Sequence, residues 1–192
     1  MEFVVSPPDI VRSINQIWLL KYWMRLRGSR QVPLHSLDAE ELADISDNLL
    51  FTDVVHEAGK PRFLVSFSGV RILEFFGANC STGGQGRFLD EVLPAAYRDA
   101  ALSTLHAAVR ARMPVYTVAD LRDRAGRLVY FERLLLPFGR DGTVVDGVLA
   151  SIEAVSPEGV FHSQELMTTP SSRPAFALCA IIDTHAAVAG WS

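Results

Sequence analysis

The chain has 192 residues, of which 49% are hydrophobic and 21% are charged, and it carries a formal net charge of −4 at pH 7. This length predicts a single domain with a substantial core, and the composition is ordinary for a globular protein. The negative charge disfavours a dedicated nucleic-acid surface, because contacts with phosphates require a basic face. Cys80 and Cys179 are too few for a disulfide framework and too isolated for a structural zinc site.

The N-terminal residues do not show the pattern of a secretion signal or a membrane anchor. Residues 1–8 lack a basic segment ahead of an apolar core. The most apolar early run, residues 14–24, contains Lys21 and is shorter than the roughly 20 apolar residues that a membrane-spanning helix needs. We therefore expect a soluble, cytoplasmic protein of bacterial type with reduced thiols.

An amphipathic helix is predicted from Asp9 to about Gly28, because Asp9 follows two prolines and a glycine commonly ends a helix. This helix carries more large apolar side chains than one contact can bury. It therefore either packs on the chain's own sheet or joins two copies of the chain. We expect a two-fold symmetric homodimer, whose interface candidates are Ile14, Trp18, Leu19, Tyr22 and Trp23.

A connector, a short helix and two strands are predicted to follow. Asp38 resembles an N-cap with acidic residues behind it, which predicts a short helix through Ile45. Residues 49–55 and 62–67 are rich in β-branched and aromatic side chains, and residues 57–61 between them contain Gly and Pro. This pattern predicts two strands joined by a turn.

The middle of the chain is predicted to be helical. Residues 70–76 and 88–93 form two short helices, and residues 97–113 form a long one. Apolar side chains recur on the long helix at helical spacing. One face of the long helix therefore presents Leu102, Leu105, His106, Val109 and Met113.

Three antiparallel strands are predicted over residues 115–121, 128–137 and 144–152, joined by short turns that contain Asp and Gly. The middle strand is largely apolar on both faces, so each face needs another element to cover it. Glu132 and Arg133 are neighbours on this strand and point to opposite faces. Each of them needs a polar partner, because a lone buried charge is unfavourable.

Several short motifs occur in a fixed order along the chain: Tyr22-Trp23, Leu26-Arg27-Gly28, Leu50 with Asp53-Val54, Arg62-Phe63, and residues 132–137. Together with the order of two strands, short helices, a long helix and a three-stranded meander, they make the chain resemble a PAS domain over residues 49–155. In particular, it is similar to small stand-alone bacterial PAS proteins in which one PAS domain follows an N-terminal helix.

The resemblance implies an α+β fold, in which a five-stranded antiparallel sheet carries helices over one face and encloses a small cavity. The N-terminal amphipathic helix is expected on or near the other face. Residues 1–48 then form the helix, the connector and the short helix, residues 49–155 form the PAS domain, and residues 156–192 form a C-terminal extension. The extension contains an apolar run, residues 176–188, that fits either a helix or a strand.

Flavin is one cofactor that the resemblance brings into consideration. Flavin-binding LOV photoreceptors, a PAS subclass, carry an Asn-Cys-Arg-Phe-Leu-Gln run whose cysteine forms an adduct with the flavin. Here residues 81–86 separate Asn79-Cys80 from Arg87, and the three predicted C-terminal strands contain no Asn or Gln. The polar edge of a flavin would remain unpaired. We therefore expect no flavin and interpret Cys80 as an ordinary loop cysteine.

Haem is the second cofactor, because haem-binding PAS proteins ligate iron with a histidine on the long helix. That ligand is expected nearer the helix start than His106, and a lone histidine on an apolar face is more often a core residue. The five histidines of the chain follow no metal-ligand spacing, and no catalytic motif is recognisable. We therefore expect no haem, no resident metal and no enzymatic activity, while the identity of any cofactor stays open.

The sequence favours a sensory or regulatory module that binds a small ligand in its cavity and signals through protein contacts. No kinase, cyclase or DNA-binding segment is recognisable, so the signal is expected to pass to a separate signalling protein. The alternative is a constitutive interaction or dimerisation module without a ligand. The cavity candidates are Phe63, Val65, Phe75, Leu102, Leu105, His106, Val109, Tyr130, Glu132 and Leu134.

Overall fold

A computed structural model of the chain describes residues 2–27, 32–57, 59–77, 84–139, 144–167 and 174–186. In these ranges the helices are α1 Ile14–Leu26, α2 Val70–Phe76, α3 Leu89–Val92 and α4 Ala95–Ala111. The strands are β1 Val4–Ser6, β2 Leu49–Glu57, β3 Lys60–Ser68, β4 Val115–Arg122, β5 Leu128–Phe138, β6 Gly147–Val155 and β7 Ala175–Ile182.

All of these strands belong to one sheet, in the order β1-β7-β4-β5-β6-β2-β3. The strands β4, β5 and β6 form an antiparallel meander, β6 pairs antiparallel with β2, and β2 pairs antiparallel with β3. These are the five strands that the sequence predicts. Since β7 pairs antiparallel with β4 and β1 pairs parallel with β7, the described sheet has seven strands rather than five.

The two additional strands were difficult to recognise for physical reasons. The strand β7 is apolar on both faces, with Ala180 and Ile182 in the core beside α1 and Ile181 packed against the core on the opposite face. Such a run lacks the alternation that distinguishes a strand from a buried helix. The strand β1 has only three residues, which is too short for any periodic pattern.

The helix α1 covers one face of the sheet. Its side chains Leu19, Leu20 and Trp23 are fully buried, and they share a core with Leu134 and Leu136 of β5. The indole Nε1 of Trp23 donates a hydrogen bond of 2.9 Å to the carbonyl oxygen of Pro137. Burial of these side chains, together with the satisfied indole donor, fixes α1 against the middle of the sheet.

The helices α2, α3 and α4 contribute to the core on the opposite face of the sheet. This core includes Phe75 from α2, Leu89 from α3 and Leu105 from α4, together with Phe131 and Leu135 of β5. The rings of Phe75 and Phe131 meet edge to face, with their centroids 5.6 Å apart. Both faces of β5 are therefore buried, as its two apolar faces require.

Two helices begin later than the sequence predicts. The first helix starts at Ile14 rather than Asp9, because Val11 and Ser13 have extended backbone and Pro8–Ile10 form a separate 3-10 turn. The expected helix from Asp38 is a turn, in which the Asp38 carboxylate accepts the N–H of Glu40. A 3-10 helix over Ala43–Asn48 follows this turn.

The segments outside residues 49–155 share both cores with that span. Asp123, in the β4–β5 turn, joins one of these segments to the meander, since its carboxylate accepts N–H groups of Ala125, Arg127 and His162, all at 2.9 Å. Burial raises the pKa of Asp123, but the N–H groups of His162, Arg127 and Ala125 outweigh burial and hold the pKa below its ordinary value. In the described ranges, no helix has both the length and the apolarity needed to span a bilayer.

Candidate functional site

The strand β5 divides its side chains between the two cores. Leu134 and Leu136 belong to the core beneath α1, whereas Phe131 and Leu135 belong to the core beneath the other helices. Successive side chains of a strand alternate between faces. Arg133 therefore lies on the face covered by α2, α3 and α4.

A small cavity lies between β5 and these helices, with a volume of about 40 Å³. One water molecule needs about 10–15 Å³ of such space, so the cavity has room for a group of a few heavy atoms. Among the described residues of its wall, Arg133 is the one that carries a charge. The wall residues are Leu50, Phe76, Leu89, Leu93, Ala101, Leu105, Arg133, Leu135, Ala150, Ile152 and Met167.

Arg133 is 8% exposed and makes its side-chain hydrogen bonds to two threonines. Its Nε donates to Oγ1 of Thr117 at 3.3 Å, and its Nη2 donates to Oγ1 of Thr104 at 3.3 Å. The Thr104 hydroxyl in turn donates to the carbonyl oxygen of Ala101 at 2.7 Å. Both partners of the guanidinium are therefore neutral acceptors at the long end of the hydrogen-bond range.

The charge of Arg133 has no carboxylate within ion-pair distance in the described part of the chain. Burial lowers the pKa of Arg133 to about 10, so the guanidinium remains protonated at neutral pH. The nearby Cys179 thiol does not compensate this charge, because burial raises its pKa, although Arg133 opposes the shift. The ring centroid of Phe176 lies 5.6 Å from the Arg133 Cζ, a cation–π contact that offsets part of the charge. Buried charges are usually paired with an opposite charge, so a guanidinium without a described carboxylate marks this cavity as unusual.

The opposite side of β5 carries a different polar group, Glu132, which is 6% exposed beneath α1. Its carboxylate accepts a hydrogen bond of 2.7 Å from the hydroxyl of Tyr116. Burial raises the pKa of Tyr116, and the hydrogen bond to Glu132 raises it further, so the phenol keeps its proton at neutral pH. The sequence-based expectation that Glu132 and Arg133 face opposite sides with separate polar partners agrees with this arrangement.

Gln16 connects α1 to the same part of the sheet. Its side chain is fully buried, and Nε2 donates to the carbonyl oxygens of Glu132 at 3.3 Å and Ser151 at 3.1 Å. The other amide atom, Oε1, has no hydrogen-bond partner among the described residues. A buried acceptor without a partner weakens the docking of the helix.

A second carboxylate, Glu153, lies opposite Glu132 in the β5–β6 register. It accepts hydrogen bonds from Asn15 of α1 at 3.2 Å and from Asn48 at 3.3 Å. Burial raises the pKa of Glu153, the two amide hydrogen bonds oppose the shift, and the charge of Glu132 adds to it. The contact between α1 and the sheet therefore contains two neighbouring acids.

The predicted cavity residues separate into four groups, and Leu105 is the one candidate that lines the cavity. Val65 and Phe75 lie in the same core without reaching the cavity wall. Glu132 and Leu134 lie on the α1 side of β5, and Tyr130 belongs to the same alternating set. The assignment of these three residues to the cavity was therefore wrong. The sequence does not indicate which face of β5 packs against α4. The remaining candidates, Phe63, Leu102, His106 and Val109, line a separate surface pocket of about 570 Å³.

His106 is half-buried at this surface pocket and does not face the internal cavity. Its ring meets the edge of Phe63 at a centroid distance of 5.2 Å. Burial lowers the pKa of His106, and the charge of Arg110 lowers it further. No cluster of three metal-ligating side chains occurs among the described residues, and Cys80 lies outside them.

The predicted dimer-interface residues divide into a buried set and an exposed set. Leu19, Tyr22 and Trp23 are at most 3% exposed, because α1 folds onto the chain's own sheet, and they cannot contact a partner in this arrangement. Ile14 is 83% exposed and Trp18 is 40% exposed. Only these two candidates remain available on the outer side of α1.

The polar residues of this site that sequence reasoning did not select are Arg133, Thr104 and Thr117. Arg133 was identified as a strand residue that needs a polar partner, but its face was unknown. Thr104 occupies the long helix outside the apolar set that periodicity selects, and Thr117 lies opposite Arg133 in the β4–β5 register. The sequence feature that points to this site is the adjacent pair of opposite charges, Glu132 and Arg133, in the most apolar strand.

A family model described as "PAS domain" matches residues 11–152, a span that begins before α1 and ends within β6. This match confirms the resemblance and extends it over the N-terminal helix. No curated protein matches the chain.

Proposed function

Because the chain belongs to the PAS domain family, a family of sensory and regulatory modules, we propose that it binds a small molecule in the cavity beside β5. Binding of this molecule changes how α1 docks on the sheet. A separate signalling protein detects the change through direct contact with the module. The chain acts in this way through binding and not through catalysis. The observation that carries the proposal is the position of Arg133 and Glu132, adjacent on β5, one at the cavity and the other beneath α1.

The coupling requires a ligand that prefers one arrangement of β5 over another, since a ligand shifts an equilibrium only by its differential affinity. Gln16 bonds the backbones of β5 and β6, and Ile152, the residue after Ser151, lines the cavity. A small displacement of either strand would lengthen these hydrogen bonds, which are already 3.1 and 3.3 Å. The Oε1 atom of Gln16, which has no described partner, lowers the stability of the docked state of α1, so α1 undocks more easily.

The contact surface proposed for the output is the outer side of α1. PAS domains commonly mediate protein–protein interaction and dimerisation, and α1 exposes Ile14 and Trp18. We propose that a second copy of the chain packs here in a two-fold homodimer. The exposed pair is smaller than the patch that the sequence predicts, so we expect a weak dimer that depends on the position of α1.

A constitutive interaction module without a ligand is the alternative. It is favoured by the cavity volume of about 40 Å³, which is small beside the roughly 300 Å³ of common ligand pockets. In that case the core is filled, and α1 has one fixed docked position.

The ligand-binding sensor and the constitutive module predict different results when a larger side chain fills the cavity. Ala101 lines the cavity, whereas Ala96 of the same helix is exposed, so Ala101→Leu and Ala96→Leu form a matched pair. Native mass spectrometry of freshly purified protein should find a small molecule on the wild type and on Ala96→Leu, and none on Ala101→Leu. Hydrogen exchange of α1 should change in Ala101→Leu alone. A wild type without bound molecule, and equal α1 exchange in all three proteins, would favour the constitutive module.

A further inference from the structure

We propose that the cavity beside Arg133 is an anion site, and that its ligand is a small monocarboxylate held by the guanidinium with its short chain against the apolar wall. This inference rests on the proposed ligand-binding function and specifies the chemistry of the ligand. It follows from the charge, the hydrogen-bonding capacity and the size of the site.

The charge of Arg133 is the first argument. Nine-tenths of the side chain is buried, the other described residues of the cavity wall are uncharged, and no described carboxylate pairs with Arg133. A protonated guanidinium in such surroundings is unfavourable unless an anion accompanies it. A bound anion would supply the missing charge.

The hydrogen bonds of Arg133 are the second argument. A guanidinium has five N–H donors, and the described partners use one from Nε and one from Nη2. Both threonine acceptors are neutral and lie at 3.3 Å. The other donors suit a planar carboxylate, which accepts two parallel hydrogen bonds from arginine.

The size and polarity of the cavity select among anions. About 40 Å³ holds about three to four water-sized groups at about 10–15 Å³ each, which admits a carboxylate with an alkyl group of roughly one or two carbons. A phosphate or sulfate dianion would leave one negative charge uncompensated against a wall that is apolar apart from Arg133. A short-chain monocarboxylate places its charge at the guanidinium and its alkyl group against residues such as Leu105 and Ile152.

The test is a titration of the full chain with propionate, followed by NMR shifts of the cavity methyl groups and by thermal denaturation. Phosphate, chloride and the neutral isostere propionamide provide the comparisons. Three variants accompany the wild type: Arg133→Met removes the charge, Arg133→Lys keeps the charge without the planar fork, and Arg110→Met removes an exposed arginine from α4.

Wild type and Arg110→Met should bind propionate saturably, with shifts confined to the cavity and a raised Tm. We expect binding to weaken at least tenfold in Arg133→Met and by a smaller factor in Arg133→Lys. If Arg133→Met does not fold, Arg133→Lys and the comparison of propionate with propionamide decide the question. Phosphate and chloride should give no saturable shifts at the cavity methyl groups.

Three results would overturn the anion site. Equal propionate affinity in wild type and Arg133→Met would show that the guanidinium does not hold the carboxylate. Binding of propionamide but not propionate would identify a neutral ligand, which leaves the sensor function standing while the anion inference fails. If neither probe binds and native mass spectrometry finds no molecule on the wild type, both proposals fail together.

Discussion

The two faces of β5 contain buried charges of similar exposure but unequal pairing. Beneath α1, Glu132 receives a short hydrogen bond of 2.7 Å from Tyr116, and the neighbouring backbone is bonded by Gln16. Beneath the other helices, Arg133 has two neutral partners at 3.3 Å. Neither charge has an ion-pair partner among the described residues, so the two faces differ in the hydrogen bonds that their charges make, which are shorter for Glu132 than for Arg133. This difference indicates where a ligand acts and which element responds.

The largest expected effect tests how much of the fold depends on the α1 face. Trp23→Ala should lower the free energy of unfolding by about 3–5 kcal/mol, because it removes a fully buried indole and its hydrogen bond to Pro137. Trp18, 40% exposed on the same helix, is the matched control, and Trp18→Ala should lower stability by about 1 kcal/mol. Urea denaturation measures both values. Equal losses for the two variants would mean that α1 is not docked as described.

The second prediction compares the two buried charges directly. Glu132→Ala should destabilise the protein by about 1–3 kcal/mol, because the buried Tyr116 hydroxyl loses its acceptor. Arg133→Met should be neutral or stabilising in the absence of ligand, because it removes an uncompensated buried charge. Denaturation in buffer free of small anions measures both effects. A loss in Arg133→Met as large as that in Glu132→Ala would contradict the difference between the faces.

The third prediction concerns the bonds of α1 to the sheet. Gln16→Leu removes the hydrogen bonds to the carbonyl oxygens of Glu132 and Ser151, and it also removes the unpartnered Oε1. These changes partly offset each other, so we expect a net loss of about 1 kcal/mol and faster hydrogen exchange along α1. Exchange in α4 should be unchanged, which provides the internal control. Uniform acceleration in both helices would indicate global destabilisation instead.

The smallest expected effect is a dependence on pH. The pKa of Glu153 lies above its ordinary value of 4.5, so between these two values the folded state binds more protons than the unfolded state. The contribution of Glu153 to the free energy of unfolding is therefore fully present below pH 4.5. It is lost as the pH rises through the pKa of Glu153 in the folded state. Glu153→Gln should remove this decline in stability in urea denaturation measured from about pH 4 to about pH 7, a range that begins near the ordinary glutamate pKa. A pH profile of Glu153→Gln that is identical to that of the wild type would show that the titration of Glu153 is not coupled to folding.

The sequence was sufficient for the order of the elements, because turn residues, strand composition and helical spacing are local signals. The meander, the two preceding strands and the long helix all lie near their predicted positions. The start of α1 was wrong because the residues between Pro8 and Ile14 alternate between turn and extended backbone, which composition does not indicate. The sequence does not decide between a helix and a strand for the run that contains β7, because the pairing of β7 with β4 is non-local.

The candidate site was only partly predictable for a related reason. Local periodicity selected the apolar side of α4, and most of those side chains lie at the surface pocket. The internal cavity is instead reached by Ala101 and Leu105, whose position depends on how α4 crosses the sheet. Alternation along β5 predicted that Glu132 and Arg133 separate, but only the packing of α1 determines which one faces the cavity.

Hydrogen exchange of the α1 amides, with and without saturating propionate, tests most directly whether the cavity controls the helix. In the wild type, propionate should change α1 exchange severalfold, and the change should be absent in Arg133→Met. NMR shifts of the cavity methyl groups in the same samples establish that the site is occupied. Unchanged α1 exchange in a wild-type protein with an occupied cavity would contradict the proposed coupling between Arg133 and α1.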